Sequence, residues 1–469
     1  MRKRLGVCAV LVLLLSACGS GGSDSDGKDR QTHTAAVPSD SAASGTGRPA
    51  VRSDFDGDGY GDLVFTDSTA TVNGKYAAGY AAVIRGSSKG PVLEGKQVVT
   101  QDDLGLGKAG EGGGFGSRGV SADLDGDGRA DFVTQAGRST VFVVWGSAEG
   151  LSEAARLTAA APLSGDFDGD GRADLVVTGT EDNTAQLLLG PFSRQGVPRR
   201  TVSLDLTPSD PYYTASPTTT GDMTGDGKDD LLVTWSHVFA DEQPVARATL
   251  LYRGAADGKL VEGPRLKDDQ GKDFYGGWLQ TGDVNKDGFA DVVADRACEM
   301  QGDVTIPEGG TSMVVVYGGS SGQSAKLNPL RLTERTTGLP VKGPYSPCTF
   351  GDAPSVGDID ADGYADVAFS VGTGPAQDSE SSLVLLKGSA RGLTVDGATS
   401  LPGGHAVMLD TNGDRVADLA VAGPAEGEVR VLLGGRDGVG LSPALVVTEA
   451  GLDLGPKISS PGHQLWVVE

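Results

Sequence analysis

Apolar residues fall in short runs along this chain, and acidic, glycine-rich stretches separate them. Runs such as Leu63-Val64-Phe65, Leu175-Val176-Val177 and Val292-Val293-Ala294 are short and rich in β-formers, and they predict buried strands. Each follows a nine-residue acidic loop, first written Asp54-Phe-Asp56-Gly-Asp58-Gly59-Tyr-Gly-Asp62. The loop recurs at 123–131, 166–174, 222–230, 283–291, 358–366 and, in degraded form, 410–418. Successive copies start 43 to 75 residues apart. A period of that size, all strand and turn, means a propeller or a solenoid. Unit two has room for four strands, at 119–122, 132–135, 140–145 and 154–158. Four strands in each of seven units predict an all-β fold, a seven-bladed β-propeller of four-stranded blades. A closed ring buries both faces of each inner strand and leaves only short edges.

The loop chemistry points to a cation. Carboxylates at positions 1, 3 and 5 share one side of a curled chain. Position 6 is Gly in six copies, where the bend needs a φ that a Cβ disfavours. Position 7 can offer a carbonyl, and the Asp at position 9 can close the shell. Hard oxygen donors in this number suit Ca²⁺ over zinc or copper. An EF-hand would need a Glu at position 12 and a helix after it, and neither is written here. The candidate ligands are Asp54, Asp56, Asp58 and Asp62; Asp123, Asp125, Asp127 and Asp131; Asp166, Asp168, Asp170 and Asp174. They continue as Asp222, Thr224, Asp226 and Asp230; Asp283, Asn285, Asp287 and Asp291; Asp358, Asp360, Asp362 and Asp366; Asp410, Asn412, Asp414 and Asp418. Up to seven structural Ca²⁺ are expected. Thr224, Asn285 and Asn412 lower the charge at position 3, and Arg415 replaces the Gly of the last loop, so site seven is expected to be the weakest.

Composition changes this picture little. The net charge of −24 is largely the ligand set itself, since all but three of its 28 positions are Asp. Without metal the loops should repel one another. No basic stripe is present, so nucleic acid is not an expected partner. The N-terminus reads as an export signal, with Arg2, Lys3 and Arg4 ahead of an apolar stretch at 5–15. It ends in Leu15-Ser16-Ala17-Cys18, which resembles a bacterial lipobox whose Cys18 receives lipid. The expected organisation is a lipoprotein signal peptide over 1–17, a flexible Gly/Ser/Asp-rich tether over 18–48 and the propeller over 49–469. The lipid would hold the protein to the outer face of the bacterial cytoplasmic membrane.

Taken together, these loops and strands resemble the FG-GAP repeat family, as in the head propeller of integrin α-subunits and many bacterial secreted proteins. The resemblance covers about residues 49–469. Phe115-Gly116 and Phe350-Gly351 stand before the inner strands of units two and six, and Trp145-Gly-Ser-Ala-Glu-Gly-Leu151 and Lys387-Gly-Ser-Ala-Arg-Gly-Leu393 follow third strands. The resemblance implies that the calcium loops join first and second strands on one face and that partners bind the opposite face. That topology puts Cys298 and Cys348 on the opposite face of neighbouring blades, where a disulfide would pin the insertion 299–311. Closing about 50 residues would contribute roughly 4 kcal/mol on the chain-entropy model. The same topology gathers Tyr212, Tyr213, Trp235, His237, Phe274, Tyr275 and Trp278 as a candidate ligand face, with packing between blades as the competing role.

Catalytic motifs are weak. Gly86-Ser87-Ser88-Lys89-Gly90 has the spacing of a nucleophile elbow but no helix pattern after it, and Gly105, Gly107 and Gly110 lack the strand-then-helix unit a dinucleotide site needs. The four His include no close pair for catalytic zinc. The expected function is therefore that of a monomeric, lipid-anchored, extracytoplasmic calcium-binding propeller that binds a glycan or protein at the cell surface. The alternatives are a calcium-dependent polysaccharide lyase and a non-catalytic scaffold in an envelope complex. The tail strand 464–468 is expected as the outer strand of unit seven or as an extra strand.

Overall fold

Each apolar run that follows an acidic loop becomes the second strand of a four-stranded antiparallel sheet. In blade two the strands are Arg118–Ala122, Asp131–Ala136, Thr140–Val144 and Ala154–Leu157, in that spatial order. Loop 123–131 joins the first two, and Ala122 pairs with Asp131 across its base. The computed structural model describes residues 52–469 except 106, 180–182, 209–212, 238–246, 297–298, 302, 306–310, 342–344, 374–379, 424–426, 456, 460–465 and 469. The export signal, Cys18, the tether, Tyr212 and Cys298 lie outside the described residues, as do the side chains of His237 and Cys348.

Seven such sheets make the ring. The inner strands of blades two to seven are Arg118–Ala122, Ala160–Gly165, Tyr213–Gly221, Leu279–Gly282, Tyr345–Gly357 and Ala406–Leu409. Blade one is built differently. Its innermost strand is the tail, Trp466–Val468, paired antiparallel with Leu63–Asp67. This corrects the sequence expectation, because the outer strand of blade seven is Leu445–Thr448. The physical reason is edge chemistry: Leu63–Asp67 would otherwise expose a row of unpaired backbone groups, and the apolar tail covers them. Thr71–Val72 and Ile458–Ser459 add a second seam at the same junction. A further correction concerns Phe350, which lies inside the inner strand of blade six, where bulges lengthen it, and not ahead of it.

The core lies between blades. Phe55, Phe115, Phe132 and Phe142 interlock between blades one and two, with Phe55 and Phe132 edge to face at 6.3 Å. Position 2 of the loops feeds this core: Phe55, Leu124, Phe167, Met223 and Val284 are fully buried. Each such side chain contributes roughly 1.5–3 kcal/mol. The acidic loops are thus anchored from below by an apolar residue that the ligand pattern ignores.

Candidate metal centres and the opposite face

In every loop the first Asp folds the chain around itself. Asp54 accepts from the backbone N–H groups of Gly57 (2.7 Å), Asp58 (3.1 Å) and Gly59 (2.8 Å), and Asp123 and Asp166 repeat the pattern. Two backbone positions carry positive φ. Position 6 is the expected one, at +96° in Gly59 and +88° in Gly128. Position 4 is the second, at +76° in Gly57 and +76° in Gly126, and it was not anticipated from the sequence. Arg415 is held at +69° where other loops use Gly, a strained place for a side chain.

Three carboxylates converge in four of the loops. Asp54, Asp56 and Asp58; Asp123, Asp125 and Asp127; Asp166, Asp168 and Asp174; and Asp358, Asp360 and Asp366 each bring oxygens within 4.8 Å of one another. These are the four loops with Asp at position 3. The three loops with Thr224, Asn285 or Asn412 there gather no such acid trio. In two of them the amide turns on its neighbour: Asn285 Nδ2 donates to Asp287 at 3.2 Å and Asn412 Nδ2 to Asp414 at 3.1 Å.

A cation the sequence reading missed attends each position-3 Asp. Arg85 pairs with Asp56 at 2.9 Å, Arg194 with Asp125 at 2.8 Å, Arg199 with Asp168 at 2.7 Å and Lys387 with Asp360 at 2.6 Å. One oxygen of each acid is thereby neutralised. The other oxygen of Asp168 and of Asp360 is buried with no hydrogen-bond partner. A buried, unpaired carboxylate oxygen is costly unless something fills its place. The donors that surround it are hard oxygens, the set that fits Ca²⁺.

Position 9 has a structural duty of its own. Asp131 accepts from Leu124 N and Gly146 N, both at 2.9 Å, and so ties its loop to the end of the third strand. Asp62, Asp174, Asp291 and Asp366 make the same two bonds. Burial pushes Asp62, Asp131, Asp230 and Asp366 up to about 7 and Asp174 and Asp291 up to about 8. The backbone donors oppose that rise and neighbouring carboxylates add to it.

Loops are also wired to one another. The position-8 N–H of one loop donates to the position-1 carbonyl of the preceding blade, as in Ala130 to Asp54 (2.8 Å) and Ala417 to Asp358 (2.7 Å). A second bond leaves the residue after the third-strand glycine, as in Ser147 N to Phe55 O (3.1 Å). The belt crosses the closure too, through Gly61 N to Asp410 O (3.2 Å) and Ser87 N to Thr411 O (3.1 Å). The Gly86 and Ser87 of the elbow-like motif therefore belong to the same junction that other blades build.

A family model described as an FG-GAP-like repeat matches residues 166–233, the stretch that holds the third and fourth loops. The chain carries an FG-GAP-like repeat within a seven-bladed β-propeller. A search of curated proteins finds no match. Among solved structures, a Photorhabdus luminescens Tc holotoxin pore is similar at 14% identity and a TM-score of 0.32, over 85% of this chain and 16% of that one. The chain thus spans about one-sixth of that relative's length.

On the face of the propeller away from the loops, the aromatics singled out from the sequence divide. Trp235 (6% exposed) and Phe274 (2% exposed) are core residues, which corrects their placement as an open ligand face. Tyr213 packs at 6.5 Å from Trp235, and Arg265 covers the indole at 5.1 Å. Tyr275 is half-buried under the guanidinium of Arg296, 4.9 Å away. Trp278 is half-buried and reaches His405 at 6.3 Å. His405, in blade seven, was missed by sequence reasoning. The signal was present, because Gly276-Gly277-Trp278 and Gly403-Gly404-His405 repeat a Gly-Gly-ring triplet before an inner strand. A Cβ on Gly277 would stand 3.0 Å from the Asp295 carboxylate, which accepts the Trp278 N–H.

Proposed function

We propose that this propeller binds calcium in its acidic loops and uses the opposite face to bind a glycan or protein at the cell surface. The observation that carries the calcium reading is the convergence of three carboxylates in four loops, with an unpaired buried oxygen in two of them. The first and third positions would hold the ion, joined by the fifth in loops one and two and by the ninth in loops three and six. The ion would offset the mutual repulsion of these acids and fix the loop to which the next blade is hydrogen-bonded. Loops four, five and seven, which lack Asp at position 3, would bind it more weakly. The metal's role here is structural, and the role of the molecule is binding rather than catalysis. Cys18 would carry the lipid that holds a monomer to the outer face of the cytoplasmic membrane.

Partner class is open to direct test. A glycan-array screen of the chain in calcium, followed by capture from cell envelopes, should return a ligand whose binding is lost on alanine substitution of Trp278 while the fold holds. A ligand indifferent to Trp278 and to every residue of that face would overturn the assignment of the face.

A further inference from the structure

Four of the seven loops carry Asp at position 3, and those four draw a cation from outside the loop. Arg85 and Lys387 end the third strands Tyr80–Arg85 and Glu380–Lys387 of blades one and six, just before the third-strand glycine, and meet Asp56 and Asp360 of their own loops. In blade two that place is filled by Trp145, and the cation comes from blade three instead. Arg194, in the turn 193–197, reaches Asp125 and Asp127, both at 2.8 Å. In blade three the place holds Leu189, and Arg199 of the outer strand Pro198–Asp205 meets Asp168 at 2.7 Å and Asp170 at 3.2 Å. Three different positions in the blade thus converge on one partner. Among the described residues, loops four, five and seven draw no such cation, and their one ion pair is internal, Lys228 with Asp226 at 3.0 Å. Blade four supplies the comparison. Arg253 holds the place of Arg85 and Lys387, but its loop has Thr224 at position 3, and Arg253 is exposed with no ion pair among the described residues.

The partners are unequal. The side chains of the four acids are 5–9% exposed, and those of the four cations 33–43%. Each acid is therefore fixed, and its cation approaches from the solvent side. Each cation takes Oδ2 of its acid. In Asp168 and Asp360 the other oxygen, Oδ1, is the buried one without a hydrogen-bond partner. A cation so placed has two opposed effects. In chelator it offsets the repulsion among the loop acids. Beside a bound dication it is a like charge, and it keeps the second oxygen of position 3 out of the shell.

We infer that Arg85, Arg194, Arg199 and Lys387 set the calcium affinity of their loops, each steadying its loop in the absence of the ion and weakening its hold on it. The inference rests on the reading that these loops bind calcium, and it names what tunes them. A unit charge about 6 Å from a dication weakens its binding roughly three- to tenfold in water with physiological salt. A merely structural ion pair would do the opposite: its loss would loosen the loop and leave affinity unchanged or weaker.

The test uses the full chain in detergent, with Arg199→Gln and Lys387→Gln combined. Both cations are solvent-facing, and each pairs within its own blade. Calcium binding is titrated in competition with a chromophoric chelator, and melting is followed in EDTA. The variant should bind calcium roughly three- to tenfold more tightly at two sites and should melt at a lower temperature in EDTA. Lys387→Gln alone should tighten one site in the same way, and it carries the test should the double variant prove too unstable to titrate. Lys75→Gln with Arg138→Gln removes the same charge from exposed turns of the opposite face and should leave affinity unchanged. Unchanged or weaker binding on loss of Lys387 and Arg199, or equal tightening in the opposite-face variant, overturns the inference while the calcium reading stands. A wild-type chain that binds no calcium at millimolar concentration removes both.

Discussion

Aspartate serves two purposes within a single loop. At position 3 it offers an oxygen to a cation, and at position 9 it ties backbone to backbone. In the third loop Asp168 serves only the first purpose, whereas Asp174 serves the second and also joins the acid cluster. Asp168→Ala removes a donor of the proposed ion and a partner of Arg199. It should lower stability in calcium and change it little in chelator. Asp174→Ala leaves Phe167 N and Gly190 N without acceptors in a buried place. Two such orphans cost on the order of 3 kcal/mol, so this variant should lose stability in both conditions. Urea denaturation of each variant, with calcium and with EDTA, checks the difference. The sequence made the ligand pattern legible because it is local, with alternate positions of one loop. The cations Arg85, Arg194, Arg199 and Lys387 were not legible, because they arrive from 27 to 69 residues away in the chain.

At the scale of elements, the third-strand glycine is where loop, strand and neighbouring blade meet. A Cβ on Gly146 would collide with the Ala130 carbonyl and stand 2.9 Å from that of Phe55. Gly435, one residue past the equivalent position in blade seven, has nothing within 4 Å. Gly146→Ala should therefore destabilise by roughly 1–3 kcal/mol or more, while Gly435→Ala should be near neutral; thermal melts of the pair decide it. These glycines were visible in the sequence only as part of a recurring Gly-Ser, without a reason. The strands themselves were legible. Unit two was expected at 119–122, 132–135, 140–145 and 154–158, and each strand lies within a residue or two of its place. The tail was misplaced because strand pattern gives no partner: Trp466–Val468 would suit any open edge, and only the unpaired inner edge of blade one selects it. Trp235 and Phe274 were singled out for rarity and type, and neither property distinguishes a ligand platform from a core.

For the whole molecule, the ring concentrates buried carboxyls on one face, and that sets its response to pH. In the unfolded chain these groups titrate near 4. In the metal-free ring six of them titrate at about 7 or 8. Between those values the folded form holds protons that the unfolded form has released, so stability falls as pH rises from about 4 to about 8. In EDTA the urea midpoint should be higher at pH 5.5 than at pH 8. Calcium competes with those protons, so at pH 8 the loss should be restored by the ion. Because loops are hydrogen-bonded blade to blade, including across the closure, the restoration should appear as one cooperative transition of the ring.

The most direct test of this account is the thermal unfolding of the chain at pH 7.5 in EDTA, in millimolar magnesium and in millimolar calcium. Binding to the folded state raises stability by mass action at each occupied loop. The melting temperature should rise steeply with calcium and much less with magnesium, which demands a tighter octahedral shell. It should rise less in a variant with Asp56, Asp125, Asp168 and Asp360 all changed to Asn. A melting temperature that is the same in EDTA and in calcium would contradict the proposal that the acidic loops are metal centres.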